Sequence, residues 1–423
     1  MNPSSTELLA TVLFGLAVIH TFSVKSFARW AHKYPRGSIA ENLLHFLAET
    51  EVVFGLWAAV LFAGIAVLEG SIAKSIEYVE GLNFNEPKFV LAVMVVAATR
   101  PVVNLAEGLL NRLASLLPLT PSVAFYATAL SIGPLLGSFI TEPAAMTLLA
   151  IVLKRRYFDR EISRPLAYAT LGLLFVNVSI GGTLTHFAAP PVLMVAHKWD
   201  WGTTYMLTHF GWRAAVSCVA STAVVCLLFR RLLREVPLVQ GDRRVIPAWL
   251  TVLHVMFLAA VVFFSHHPDV CFGVLMLFLG LTTATREYQD NLKLREALLV
   301  GFFLAGLVTL GTPQAYWLKP LIARLDGAML YFGATALTAI TDNAALTYLG
   351  SLVEGLHDEL KYALVAGAVT GGGLTVIANA PNPAGVGILQ TSKVFEGSGI
   401  SPVGLLLGAL FPTLVAVGCF WGV

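Results

Sequence analysis

Residues 140–149 read ITEPAAMTLL, and residues 340–349 read ITDNAALTYL. Aligned without a gap, Thr141 matches Thr341, and the residue after each threonine is an acid, Glu142 in one copy and Asp342 in the other. Both copies lie in strongly apolar surroundings, where a carboxylate costs about 2.5–3.5 kcal/mol at the centre of a bilayer. This repeated phrase, an apolar motif with a carboxylate near its start, indicates an internal duplication with a functional centre.

The composition indicates a membrane protein. Of 423 residues, 57% are hydrophobic and 12% are charged, about half the charged fraction of a soluble domain. Apolar windows of roughly 20 residues, the length of a membrane-crossing helix, recur from end to end. The first of them, from Leu8, is expected to be a retained helix, since it lacks the features of a signal peptide. The sequence therefore predicts an all-α polytopic membrane protein with the lipid bilayer as its solvent.

Residue counts exclude several other classes. The net charge is only +2 and the basic residues lie in short loops, so no face for nucleic acid is expected. The four cysteines form no CxxC pair, which argues against a disulfide or zinc framework.

The chain divides into segments of three lengths. Eight stretches have the length of single crossings, at about 8–24, 51–71, 88–103, 209–229, 247–265, 270–285, 296–312 and 402–422. Regions 165–197 and 361–390 are longer and contain glycines and prolines near their middle, so we predict broken helices. Regions 121–153 and 327–353, which hold the repeated phrase, are longer than one span and too short for two. They are predicted to form re-entrant helical hairpins.

Loop charges predict the orientation. Basic clusters lie at 25–36, 154–164, 230–244 and 286–295. If every span crosses once and each hairpin returns, all four clusters face one side, which the positive-inside rule identifies as the cytoplasm. Both termini are then outside, and the protein lies in the cell (inner) membrane. Two ordinary spans in place of either hairpin would leave this sorting intact.

This count gives two inverted repeats, each with five transmembrane helices, one of them broken, and a re-entrant hairpin. The first repeat is predicted at 1–236, with its hairpin at 121–153 and broken helix at 165–197. The second is predicted at 237–423, with its hairpin at 327–353 and broken helix at 361–390. Inverted repeats with broken helices are typical of secondary transporters.

A second pair of phrases lies in the broken helices, GGTLTHFAAPP at 181–191 and GGGLTVIANAP at 371–381. Unwound backbone at membrane depth persists only where protein covers it or where it lines a cavity, and carbonyl and hydroxyl oxygens are the ligands that a small hard cation requires. The candidate cation-binding residues at the tips and breaks are Thr141, Gly181, Gly182, Thr183, Thr185, Thr341, Asn343, Gly371, Gly372, Gly373, Thr375 and Asn379.

These stretches resemble a known group of transporters. SIGGTLTHFAAPPV is similar to the broken-helix signature of the ion transporter superfamily, which includes sodium/dicarboxylate symporters, arsenite pumps and sodium/proton antiporters. GGGLTVIANAPNPAGVGIL and ITDNAALTYL resemble most closely a family of sodium/proton antiporters. The dicarboxylate branch usually has Ser-Asn-Thr at its hairpin tips, whereas these tips carry acids that would repel an anion. The resemblance also implies a homodimer.

We expect a secondary active transporter that exchanges Na⁺, or another monovalent cation, for H⁺ by alternating access. A carboxyl group removed from water favours its neutral form and a bound cation favours the ionised form, so one group can hold either a proton or Na⁺. Glu142 and Asp342 are the expected coupling groups, and Asp342 is the expected proton carrier because its Asp-Asn context matches the antiporter branch. The structural alternative for both acids is a helix cap or an ion pair at the hairpin turn. His186, beside Thr185, is a further candidate for proton transfer.

Two other functions are alternatives to cation/proton exchange. A Na⁺-coupled symporter of a small anion, such as a carboxylate, fits the same fold. An intramembrane aspartyl protease needs two membrane acids, but the GxGD context of such enzymes is missing before Asp342. The sequence shows no nucleophile–base constellation, nucleotide loop or metal-ligand cluster, so we expect no enzyme activity and no cofactor beyond the transported ions.

Overall fold

The computed structural model describes residues 3–49, 52–160, 162–237, 245–265, 267–322, 324–396 and 399–422. Within these ranges the regular structure is helical, as the sequence predicts. The α-helices are α1 Ser5–Ala31, α2 Ile39–Leu47, α3 Val53–Leu68, α4 Ile72–Glu80, α5 Asn85–Ala97, α6 Arg100–Ser115, α7 Pro121–Ile140, α8 Glu142–Arg156, α9 Arg164–Gly181, α10 Pro190–Ala196, α11 Thr203–Met206, α12 Trp212–Leu228, α13 Arg230–Glu235, α14 Ala248–Phe263, α15 Pro268–Ala284, α16 Leu294–Gly311, α17 Ala315–Ile322, α18 Gly327–Thr338, α19 Asn343–Ser351, α20 Asp358–Gly371, α21 Asn382–Leu389 and α22 Pro402–Phe420. Residues 238–244, which belong to the basic cluster at 230–244, lie outside the described ranges.

The helix lengths are those of a multi-pass membrane protein. Among the described residues, six helical segments are long and apolar enough to cross a membrane, or seven if the bent pair α5–α6 counts as one span. Helices α3, α14 and α15 are apolar and shorter, with 16, 16 and 17 residues. The 67° bend between α5 and α6 falls just before Arg100 and Pro101, where a proline disfavours continuous helix. The number of crossings and the inverted repeat stay predictions.

Both regions that hold the repeated phrase are pairs of helices. Helices α7 and α8 pack against each other and are joined by Thr141 alone. Thr141 has φ 73°, a left-handed value that is rare for a β-branched residue. Helices α18 and α19 are joined by residues 339–342, and Asp342 is the N-cap of α19. We call Thr141 and residues 339–342 the first and second tips.

Both long regions with glycine clusters are broken helices. Helix α9 ends at Gly181 and α10 begins at Pro190, while α20 ends at Gly371 and α21 begins at Asn382. We call residues 182–189 the first break and 372–381 the second break. Proline lies in the first turn of both α10 and α21, where its missing amide hydrogen is not needed by the helix.

The packing between the two halves is reciprocal. Helix α10, which follows the first break, packs against α19 of the second hairpin, and α21, which follows the second break, packs against α8 of the first hairpin. This exchange brings both tips and both breaks together. Helices α1, α3 and α5 each pack against α16, and we call these four the scaffold helices.

Candidate functional site

The tips and breaks meet through backbone contacts that have the same form in both halves. The backbone amide of Glu142 donates to the carbonyl of Ala188 in the first break over 3.3 Å. The backbone amide of Asn343 donates to the carbonyl of Ala378 in the second break over 3.0 Å. Each hairpin is therefore tied at its tip to the broken helix of its own half.

Glu142 is fully buried at the centre of this arrangement. Its Oε2 accepts a hydrogen bond of 3.0 Å from Nδ2 of Asn379, which belongs to the second break. Its Oε1 has no hydrogen-bond partner among the described residues. A Cβ atom on Gly182 would lie 2.5 Å from Cγ of Glu142 and 2.7 Å from Oε1. The carboxyl group is thus held between a glycine of one half and an asparagine of the other.

Asp342 has a different environment. It is partly exposed, and its Oδ1 accepts hydrogen bonds from the backbone amides of Ala344 over 2.8 Å and Ala345 over 3.2 Å. This is a helix cap, the structural role that the sequence allowed for both acids. Asp342 lines the same small cavity as Asn379, the residue that bonds Glu142. The two acids share one region but hold their carboxyl groups differently.

The residues that occupy equivalent places in the two hairpins differ by one position from those that the ungapped sequence alignment pairs. Glu142 and Asn343 each begin the second helix of a hairpin and each bond the matching break carbonyl. Each also packs against a matching glycine, Gly182 or Gly372. Glu142 therefore corresponds to Asn343, whereas the ungapped alignment pairs Glu142 with Asp342. The physical reason is that the two connections differ in length: residues 339–342 join the helices of the second hairpin, whereas Thr141 alone joins those of the first.

The threonines of the breaks bond backbone carbonyls, and two of them bond the hairpins. Thr185 Oγ1 donates to the carbonyl of Ser138 over 2.6 Å, and Thr375 Oγ1 donates to the carbonyl of Ala339 over 2.8 Å. Thr183 Oγ1 donates to the carbonyl of Ile180 over 2.6 Å. Their protons are thus used by the backbone, and their oxygen lone pairs remain available as acceptors or ligands.

Two polar residues that were not among the candidates hold the breaks in place. Ser138 Oγ donates to the carbonyl of Gly181 over 2.7 Å and accepts from the amide of Leu184 over 2.9 Å. Asn382 Nδ2 donates to the carbonyls of Gly372 and Thr375, both over 2.8 Å. The only sequence signal for Ser138 is its place one helical turn before Glu142 in an apolar hairpin.

The candidate glycines allow close packing. Gly181 and Gly371 face the hairpin helices, where a Cβ would lie 2.7 Å from the backbone of Pro134 and inside contact distance of the backbone of Thr335. Gly373 packs in the same way against the backbone of Val176. Any larger residue at these positions would separate a broken helix from its neighbour.

Polar atoms without partners concentrate at the tips and breaks. Within the described residues, twelve buried side-chain nitrogen or oxygen atoms have no hydrogen-bond partner. Seven of the twelve belong to this region: Thr141 Oγ1, Glu142 Oε1, Thr338 Oγ1, Asn343 Nδ2, Asn343 Oδ1, Asn379 Oδ1 and Asn382 Oδ1. Buried polar groups are normally satisfied, so the six oxygens of this set fit a region that binds a hard cation or a proton.

Three cavities lie next to the tips and breaks. A small cavity of about 40 Å³ is lined by Thr341, Asp342 and Asn379 together with residues of α1, α3 and α16. Two larger cavities, of about 380 and 360 Å³, share Ala144 and Thr147 and lie beside the basic loops. Side chains of both signs line these two cavities, including the ion pairs Arg100–Asp290, Arg295–Glu49 and Lys293–Glu296.

His186 lies apart from the polar atoms described above. Its Nδ1 is 2.9 Å from Oγ1 of Thr203, and it lines a separate small cavity with Glu86 and His197. The structure thus brings Glu142, Asp342 and the asparagines together and leaves His186 at another place.

Comparison with known proteins identifies a family. A family model described as "Putative Na⁺/H⁺ antiporter" matches residues 5–423. No curated protein matches this sequence.

Proposed function

Because this chain belongs to the Na⁺/H⁺ antiporter family whose model it matches along nearly its whole length, we propose that it is a secondary active transporter that exchanges Na⁺, or another monovalent cation, for H⁺. The observation that carries this proposal is the carboxyl group of Glu142. It is fully buried, it is bonded on one oxygen by Asn379, and its other oxygen is one of a group of unpartnered polar atoms.

Glu142 is the proposed proton carrier, in place of Asp342. A proton on Oε1 of Glu142 breaks no hydrogen bond, because Asn379 bonds the other oxygen. When Glu142 is ionised, Oε1 joins the neighbouring hydroxyl and amide oxygens as a ligand for Na⁺. A carboxyl group with these two alternatives couples the ions by competition, since proton and cation exclude each other.

Asp342 is proposed to attract the cation without carrying the proton. One of its oxygens is engaged by the two backbone amides that it caps. It lines the small cavity that also contains Asn379, whose side chain bonds Glu142, so its charge would act on a cation that moves from that cavity towards Glu142. In this scheme Thr141, Asn343 and Asn379 supply neutral oxygen ligands.

The transport cycle is proposed to use alternating access within two inverted repeats. The hairpins and broken helices are tied to each other at the tips, whereas the scaffold helices pack among themselves. The first group would therefore move as a unit against the scaffold. The larger cavities lie beside Arg100, Arg155 and Lys293, the side that the positive-inside rule makes cytoplasmic, so this conformation would face inward.

The test is reconstitution in liposomes that contain a pH-sensitive dye. Addition of Na⁺ should move protons in the opposite direction, and Glu142→Gln should abolish this movement. Asp342→Asn keeps an acceptor oxygen for the cap and removes the charge, so it should retain exchange with Na⁺ affinity lowered at least about tenfold, or about 1.4 kcal/mol. Full exchange in Glu142→Gln would refute the proposal. Na⁺ uptake that requires an added carboxylate and moves no protons would identify the anion symporter instead.

A further inference from the structure

A long apolar groove lies beside the cavity that contains Asp342. It has a volume of about 330 Å³ and runs between α1, α17, α18 and α19. Apart from Thr341, its lining is almost entirely apolar, with Phe14, Leu321, Met329 and Leu337 among the side chains. Its volume falls within the usual range of small-molecule pockets, roughly 300–1,000 Å³.

The groove and the Asp342 cavity are adjacent and share part of their lining. Val18, Phe22, Ile340 and Thr341 line both. A single elongated molecule could therefore place one end at Asp342 and the rest along α18.

The cavity end presents acceptors for a positively charged donor. Asp342 supplies a carboxylate, and Asn379, which is 1% exposed, supplies an Oδ1 without a hydrogen-bond partner among the described residues. Three phenylalanines, Phe22, Phe54 and Phe303, line the same cavity, and aromatic rings attract cations. This combination suits an ammonium group, which has three donors and a positive charge.

We propose that an amphipathic primary amine binds here, with its ammonium group at Asp342 and Asn379 and its alkyl chain in the groove. The acceptors select a protonated amine over an alcohol or a carboxylate, and the groove selects a long chain over methylammonium. Such a ligand would occupy the approach to the proposed cation site, so only its competition with Na⁺ rests on the proposed function.

Binding of n-hexylammonium, methylammonium and n-hexanol to the full-length protein in phosphatidylcholine nanodiscs tests this proposal. Isothermal titration calorimetry in Na⁺-free buffer measures binding without requiring transport. Each buried methylene strengthens binding about fourfold, so the five extra carbons of hexylammonium should strengthen binding up to about 1,000-fold over methylammonium, and at least about 30-fold with only half of the extra chain buried. Hexanol should bind weakly, and Asp342→Asn should weaken both amines at least about tenfold.

A variant in the groove distinguishes the contribution of the ligand's alkyl chain from that of its ammonium charge. A Cβ on Gly333 of α18 would meet no atom within 4 Å, so Gly333→Leu can place its side chain in the groove without a clash at Cβ. It should remove most of the advantage of hexylammonium and leave methylammonium binding unchanged. Gly273→Leu, on α15, also meets no atom within 4 Å at Cβ and lies outside the groove lining, so it should keep that advantage.

Three results would overturn the proposal: equal binding of the two amines, binding of hexanol as tight as that of hexylammonium, or an undiminished advantage in Gly333→Leu. Loss of the advantage when phosphatidylcholine is added to protein in detergent would assign the groove to a lipid chain and would also overturn it. Na⁺ should weaken hexylammonium binding. Tight amine binding that Na⁺ does not affect would contradict the proposed Na⁺ path and leave the amine site standing.

Discussion

Replacement of Asn379 by alanine tests the contact that joins the two halves at Glu142. Asn379 Nδ2 donates to Oε2 of Glu142 over 3.0 Å. A hydrogen bond to a charged group contributes about 1.5–3 kcal/mol, and about 1.4 kcal/mol corresponds to one pH unit. The ionised form of Glu142 loses most from the substitution, so the proton should be taken up at a pH about 1–2 units higher than in the wild type.

The assay is Na⁺ binding to purified protein over a pH series. If proton and Na⁺ compete, the apparent dissociation constant of Na⁺ is constant at high pH and rises as the pH falls. The dissociation constant at high pH, the plateau, then depends on the ligands of the cation. The pH at which the dissociation constant begins to rise, the bend, depends on how tightly the proton is bound. Asn379→Ala should raise the plateau, because the cation loses the ligand Oδ1, and it should also move the bend to a higher pH.

Asn343→Ala is the matched comparison. Asn343 is also fully buried, and neither polar atom of its side chain has a hydrogen-bond partner among the described residues. Its loss should raise the plateau and leave the bend near the wild-type pH. An unmoved bend in Asn379→Ala, or an equal movement in both variants, would refute the assignment of the proton to Glu142.

Two further predictions follow from the close packing and from the loop charges. Gly182→Ala should lower the rate of exchange more than tenfold, because its methyl group would lie 2.5 Å from Cγ of Glu142. The control Gly418→Ala, whose methyl group meets no atom within 4 Å, should exchange normally. Equal rates of the two variants in liposomes would show that the position of the carboxyl group is unimportant. In a cysteine-free background, a cysteine at the exposed position of Arg160 should be protected from an impermeant thiol reagent in intact cells, and one at His357, also exposed, should react. Labelling of both from the same side would contradict the inverted repeat.

The sequence predicts those parts of the fold that depend on local chemistry. Glycine clusters and prolines break helices wherever they lie, and both breaks occur where these residues predicted them, after Gly181 and Gly371. The apolar windows predicted apolar helices because bilayer thickness sets their length, and among the described residues six helical segments are long enough to cross a membrane. The bend before Arg100 and Pro101 falls inside the span predicted at 88–103, so that span is wrong as one straight helix; the apolar window set its length and took no account of the proline.

Contacts between distant segments could not be predicted in this way. The bond between Asn379 and Glu142 joins residues 237 positions apart, and no periodicity encodes it. Ser138 bonds two groups of the first break, yet in the sequence it is one serine of an apolar helix. The pairing of the tips depends on the length of each connection, which an ungapped comparison of similar letters does not measure.

The corrected pairing explains how two similar halves can form one asymmetric site. Glu142 and Asn343 occupy equivalent places, so one half offers an acid where the other offers an amide. Two acids at these places would put like charges against each other in a region that excludes water, at a cost that rises as the dielectric constant falls. The second acid, Asp342, stands instead one residue earlier, where the backbone amides of α19 bind it. In the proposed mechanism this arrangement leaves one carboxyl group, that of Glu142, to exchange a proton, while the place of the other, that of Asp342, is fixed by the helix that it caps.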